Sequence, residues 1–184
     1  MKKKVILLLT IICFVSCKEP EPRHPVSSRS GTFFKESVER NKQLLAFEEN
    51  LIKKYMDAHP EHTYHNSSNG YWYYYNSQVT EATHTPVEND IVKITYDIRT
   101  FNQDTLYTHQ EIGEIVFKID KEALFPGLRT GVKLMKEGET VTFLLPSAMG
   151  YGYHGDENKI GTNFPLISTV TLHEIIDRYK DSIN

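Results

Sequence analysis

The stretch PSAMGYGYHGDENKIGTNFP, Pro146 to Pro165, decides how the chain folds. Within it GYGYHG, Gly150 to Gly155, has the G-x-G-x-x-G spacing of a dinucleotide-binding loop. That fingerprint works only between the first strand of a βαβ unit and a helix, because the pyrophosphate needs the helix's N-terminal N–H groups. A strand-like run, ETVTFLL from Glu139 to Leu145, does precede the loop. Pro146 then intervenes, however, and DENKIGTNFP is built from loop formers. No second parallel strand can follow, since few residues remain. The dinucleotide reading therefore fails on context, and the loop reads as a connection between strands.

Working outward from this loop, the texture is that of an antiparallel α+β domain. LISTVTLHEII, Leu166 to Ile176, is predicted as the last strand, Val87 to Phe101 as one long alternating strand, and Glu114 to Ile119 as another. NQDTLYTHQEIG between the last two carries turn residues. Phe125 to Met135 reads as a turn plus a short helix, stopped by Lys136-Glu137-Gly138. One short helix among about five strands fits an antiparallel α+β architecture.

Upstream, Phe34 to His59 places Phe34, Val38, Leu45, Ile52 and Tyr55 at helical spacing with Glu48 in the same stripe, and His59-Pro60 ends the helix. Glu48 and Glu49 precede Lys53 and Lys54 at helical spacing, which reads as a solvated face. YWYYYN, Tyr71 to Asn76, is predicted as a strand packed between this helix and a sheet, with Trp72 and Tyr74 on one face and Tyr71, Tyr73 and Tyr75 on the other. A sugar- or peptide-stacking platform is the alternative. The helix could pair between chains, forming a homodimer, or pack within one chain.

The N-terminus bears on location. MKKK is followed by an apolar run from Val5 to Val15, much shorter than the ~20 residues needed to span a bilayer but suited to a secretory signal core. FVSC resembles a bacterial lipobox, which implies cleavage after Ser16 and acylation of Cys17, each buried CH₂ adding about 0.8 kcal/mol to a membrane anchor. Of the chain's two cysteines the other, Cys13, lies inside the signal, so no disulfide is expected in the exported part. Lys18 to Gly31 is rich in Pro, Ser and charge and reads as a tether. The expected layout is a signal over 1–16, a tether over 17–31, a helix and aromatic strand over 32–84, and the main domain over 85–184.

Composition excludes some partners. Of 184 residues 39% are hydrophobic and 24% charged, ordinary for a soluble fold, and the formal charge is −3. Losing the three lysines of the signal would take it to −6. An acidic chain without a Lys/Arg cluster is not expected to bind nucleic acid. His59, His62 and His65 form H-x-x-H-x-x-H, a set that could ligate zinc or copper, but the spacing spans a helix end, Pro60 and a strand start. Exposed loop histidines are the expectation, with no metal. Ser147 lacks the G-x-S-x-G elbow, and the glycine loop has no Lys to reach a phosphate.

The order of pieces is nonetheless distinctive: L-F-P-G-L-x-x-G-V at Leu124 to Val132, K-E-G-E-x-V-x-F at Lys136 to Phe143, then P-S-A-M-G-Y-G at Pro146 to Gly152 and a terminal alternating strand. Over Val87 to Asp177 this resembles the FKBP-type peptidyl-prolyl isomerases. With the lipobox, helix and aromatic strand added, it resembles their gliding-motility-associated lipoprotein branch. The resemblance implies a five- or six-stranded antiparallel sheet wrapped around one short helix. It also implies an apolar pocket lined by Tyr96, Phe117, Leu124, Phe125, Leu128, Tyr151 and Ile160, with Tyr153 and His154 at the rim. Phe125 N–H and the Tyr151 hydroxyl would bind substrate carbonyls, and no cofactor is required.

The implied partners are proline-containing exported polypeptides and, through the lipid on Cys17, the membrane. The implied location is the bacterial cell envelope, on the outer membrane facing the periplasm. Three positions depart from the family pattern: Leu128 replaces a tryptophan floor, Tyr107 an aspartate at the pocket mouth, and Ser168 an aromatic. The departures leave a second reading, a peptide-binding chaperone or scaffold without much catalysis. A third is a holdase whose helix and aromatic strand bind clients.

Overall fold

The computed structural model of the chain describes residues 30–80 and 84–176. The signal, nearly all of the tether and Cys17 lie outside them. In chain order the elements are helix α1 (Ser30–Ala58) and strands β1 (His65–Asn66), β2 (Trp72–Ser77), β3 (Ile91–Tyr96), β4 (Ile98–Arg99) and β5 (Thr105–Tyr107). Helix α2 (His109–Ile112), β6 (Ile115–Lys118), α3 (Pro126–Gly131), β7 (Thr140–Leu145) and β8 (Leu166–Ile176) follow. The chain divides into two compact units, residues 1–39 and 40–184. In the first, Phe34 and Val38 are exposed.

All strand pairs are antiparallel, in the order β1-β2-β7-β8-β3-β6, with β4 joining β8 to β5. The period-two alternation of β8 explains its central place. Leu166, Val170 and Leu172 enter the larger core with α3's Leu128, while Ile167 turns to the other face and meets Ile52 and Tyr55 of α1. The aromatic strand divides the same way. Tyr71, Tyr73 and Tyr75 join the larger core, and Trp72 and Tyr74 join the smaller one under α1. Its two faces match the sequence reading. Its place does not: β2 is a strand of the sheet itself, hydrogen-bonded to β7, and α1 covers one face only.

Other differences have local causes. Helix α1 begins at Ser30, inside the stretch read as tether, because the last proline, Pro25, lies five residues upstream and nothing after it forbids helical backbone. The long strand Val87 to Phe101 starts only at Ile91, since Val87 N–H donates to Asp90 Oδ2 at 2.9 Å and Asn89 has φ 77°. It breaks again at Asp97. There Asp97 N–H still donates to the Thr169 carbonyl at 3.1 Å, but Asp97 Oδ1 accepts Thr169 N–H at 2.9 Å and the Asp97 carbonyl accepts Ser168 Oγ at 2.7 Å, so side-chain bonds take over part of the ladder. Ser168 therefore occupies its inward position as the partner of this break.

Glu48 also departs from expectation. It is 2% exposed, not solvated, and Oε2 accepts Ser147 N–H at 3.2 Å from the loop after β7. The three histidines do not converge. His59 stacks on Tyr55 with ring centroids 4.3 Å apart, His62 on Tyr74 at 3.9 Å, and His65 on Tyr73 at 5.2 Å.

Candidate functional site

Pro126 opens α3 at its first position, where its missing N–H is not needed, and it holds Phe125 extended at φ −62°, ψ 147°. The chain thus delivers Phe125 and Leu128 to the same side of the short helix. Gly127 lets the helix sit down on the neighbouring loop: a Cβ there would lie 2.5 Å from Leu145 Cδ2 and 2.8 Å from the Met149 carbonyl oxygen. That loop leads directly into Tyr151.

The structure brings all seven residues of the expected pocket into one apolar cluster. Tyr96 at the end of β3, Phe117 on β6, Phe125, Leu128 and Ile160 are buried, and Leu124 and Tyr151 pack against them half-buried. Tyr96 and Phe125 meet edge to face with centroids 6.0 Å apart, and Phe125 and Tyr151 lie 5.3 Å apart. Tyr153 and His154 are exposed beyond them. The glycine pattern has a steric explanation here. Gly155 has φ 67°, and a Cβ on it would fall 2.2 Å from the Ile160 carbonyl, so the loop closes only over glycine.

Among the described residues neither Phe125 N–H nor the Tyr151 hydroxyl donates a hydrogen bond. Burial, and after it the neighbouring Tyr96, Asp156 and Tyr107, push Tyr151 well above the ordinary tyrosine range, and burial also raises Tyr96. Both phenols stay neutral donors through physiological pH.

At the mouth the structure supplies a carboxylate that the sequence reading missed. Tyr107, standing at the aspartate position, donates its hydroxyl to Asp156 Oδ2. Asp156 Oδ1 accepts the N–H groups of Ile160 at 2.7 Å and Asn158 at 3.0 Å. Desolvation opposes ionisation of Asp156, but these three bonds outweigh it and hold the carboxyl below its ordinary value; the Asp156 bond, then desolvation, raises Tyr107. Lys159 Nζ lies 4.5 Å from the Tyr107 ring centroid and donates to the Leu106 carbonyl and to Glu111. The Thr108-x-x-Glu111 capping box fixes that end, with Glu111 Oε2 accepting Thr108 N–H at 2.8 Å. This S/T-x-x-E signature was legible in the sequence; the Tyr107–Asp156 pair, 49 residues apart, was not.

Comparison with known proteins follows the same outline. The family profile described as FKBP-type peptidyl-prolyl cis-trans isomerase matches residues 82–173, half of the chain, so the chain belongs to this family. A curated relative, "Probable FKBP-type peptidyl-prolyl cis-trans isomerase FkpA" of Neisseria meningitidis serogroup B, is 34% identical over 92 residues. The match takes in 49% of this chain and 33% of that protein, so the chain spans about a third of the relative's length. Among solved structures, a peptidyl-prolyl cis-trans isomerase of Pseudomonas syringae pv. tomato aligns with a TM-score of 0.59 at 18% identity, over 74% of this chain and 96% of that one. FkpA of Escherichia coli aligns at 0.58 and 18% identity, over 96% of this chain and 82% of that one. At such identities these two share the fold.

Proposed function

We propose that the protein is a peptidyl-prolyl cis-trans isomerase acting on proline-containing exported polypeptides. The observation that carries this reading is the convergence of Tyr96, Phe117, Phe125, Leu128, Tyr151 and Ile160 in one aromatic and aliphatic cluster with a neutral phenol at its edge. Rotation about an X-Pro bond must cross a barrier of about 18–20 kcal/mol because the planar amide is stabilised by charge-separated resonance. Nothing covalent is made or broken. Surroundings that disfavour the polar planar form relative to the less polar twisted one lower the barrier, and an apolar wall does this. Phe125 N–H and Tyr151 Oη anchor the flanking carbonyls, and the Tyr107–Asp156 bond holds the loop that carries Ile160.

A specific residue favours a second reading. Leu128, 1% exposed, is the floor where a tryptophan would give a broad π face, so the site could grip proline and turn it slowly. A prolyl tetrapeptide assay separates the two. Acceleration that Tyr151→Phe combined with Phe117→Ala removes supports the enzyme; peptide binding without acceleration leaves a binding module.

The finer setting rests on sequence. The apolar run, FVSC and the Pro-rich stretch support a lipid anchor at Cys17 in the bacterial envelope, with the domain in the periplasm and the gliding machinery as the process served. Among the described residues no helix is long and apolar enough to cross a membrane. Exposed Leu45 and Phe47 on α1 are consistent with pairing between two chains. Radiolabelled palmitate incorporation lost in Cys17→Ala checks the anchor.

A further inference from the structure

The mouth of the proline site carries charge that rotation about the prolyl bond does not itself require. Asp156 stands on the loop between Tyr151 and Ile160, one hydrogen bond away from residues of the apolar cluster. Its Oδ1 accepts Ile160 N–H at 2.7 Å, and its Oδ2 accepts the hydroxyl of Tyr107, whose ring packs against that cluster. The remaining partner is Asn158 N–H at 3.0 Å. All three donors are neutral. Among the described residues Asp156 enters no ion pair, so these bonds orient its negative charge without cancelling it.

The cation beside it is already engaged. Lys159 Nζ, over the Tyr107 ring, donates to Glu111 Oε1 at 3.2 Å and to the Leu106 carbonyl at 2.7 Å. Lys159 and Glu111 thus cancel each other. Glu157, next to Asp156, is exposed and bonds to no other described residue. With the first pair cancelled, Asp156 and Glu157 leave the mouth negative. The charge of Asp156 also reaches the site: after burial and Tyr96, it is the next influence that raises the Tyr151 hydroxyl.

We propose that this mouth selects prolines flanked by lysine or arginine, with Asp156 as the specificity-determining residue. A cation next to the bound proline meets an ionised carboxylate that the fold holds in place, while an acidic neighbour meets like charge. Because the mouth is open to water, the cation keeps most of its hydration and the preference is modest and sensitive to salt. This substrate class rests on the isomerase reading.

The test uses blocked tetrapeptides with Lys, Gln or Glu immediately before the proline, and a second series with the same residues immediately after it. Their cis–trans exchange is followed by NMR at low ionic strength. In the series whose variable residue lies nearer Asp156, kcat/KM for Lys is expected to exceed that for Gln by about fivefold, with Glu below Gln by a similar factor. Near 1 M salt, where the Debye length falls to about 3 Å, the three should converge.

Asp156→Asn, which keeps an acceptor oxygen for the loop, should bring the Lys-to-Gln ratio close to one. Lys159→Gln should raise the ratio, because Glu111 is then uncompensated. Each ratio is taken within one variant, so a general loss of turnover cancels, and a purely structural role gives no reason for the two ratios to move in opposite directions. Equal rates in both series, a ratio that survives Asp156→Asn, or a ratio indifferent to salt overturns the proposal while leaving the isomerase. Absence of acceleration with every peptide removes the isomerase instead. Calorimetric binding of the same peptides then decides the selection: Lys above Gln above Glu keeps it as the preference of a binding module, and equal affinities overturn it.

Discussion

Tyr151 is held where its hydroxyl is half-buried yet free to donate, and its raised pKa has a consequence that can be measured. An unfolded tyrosine ionises near pH 10. In the fold the proton is held more tightly, so between the unfolded and folded values the native state carries more protons and stability falls as pH rises. Below about pH 10 the contribution is fully present. Tetrapeptide turnover should therefore be level from pH 6 to 9.5 with no inflection assignable to Tyr151, while the melting temperature declines above pH 10, less steeply in Tyr151→Phe. An inflection in kcat/KM near pH 8 that Tyr151→Phe removes would contradict this account. Loss of the hydroxyl alone should lower kcat/KM by up to about tenfold, the worth of one hydrogen bond of 0.5–1.5 kcal/mol. Gly127→Ala acts by sterics. Its Cβ would press on the Met149 backbone at 2.8 Å, and a cost of about 1–3 kcal/mol is expected in urea denaturation, with turnover reduced because the loop to Tyr151 must move.

Among the elements, those whose pattern is local were legible in the sequence and those defined by distant partners were not. β8 was read at its observed bounds because eleven alternating residues state both the strand and its two faces. The short helix α3 announced itself through Pro126 and the glycines. The break at Asp97 needs Ser168 and Thr169, some 70 residues away, to become visible. The pocket cluster was legible only as a resemblance, while the carboxylate at its mouth came from Asp156, where the family position offered Tyr107. Glu48 shows the same limit. Its glutamate chemistry suggested solvent, yet its place in the apolar stripe of α1 was the better guide. Glu48→Ala leaves Ser147 N–H buried without an acceptor, a loss of about 1–3 kcal/mol in chemical denaturation. Glu48→Gln keeps an acceptor oxygen and should recover most of it; equal losses in the two variants would mean that the hydrogen bond contributes little.

At the scale of the molecule, the two apolar clusters share their central strands. Val141, Phe143 and Leu145 of β7 face the larger core, which holds Phe125 and Tyr151, while Leu144 faces α1, and β8 places Ile167 opposite Leu144 on that same back face. A strand packed on both sides cannot lose one face and keep the other, because its backbone ladder serves both. Residues from Arg40 onward should then unfold as one cooperative unit. Trp72 emission follows the back face and tetrapeptide turnover the front. Their urea transitions are expected to coincide, and Ile167→Ala, which removes a fully buried side chain behind the sheet at a cost of about 2–5 kcal/mol, should lower both midpoints equally although it touches no pocket residue. Turnover that persists after Trp72 has become fully solvated would show instead that α1 and β2 detach while the rest of the sheet stays folded.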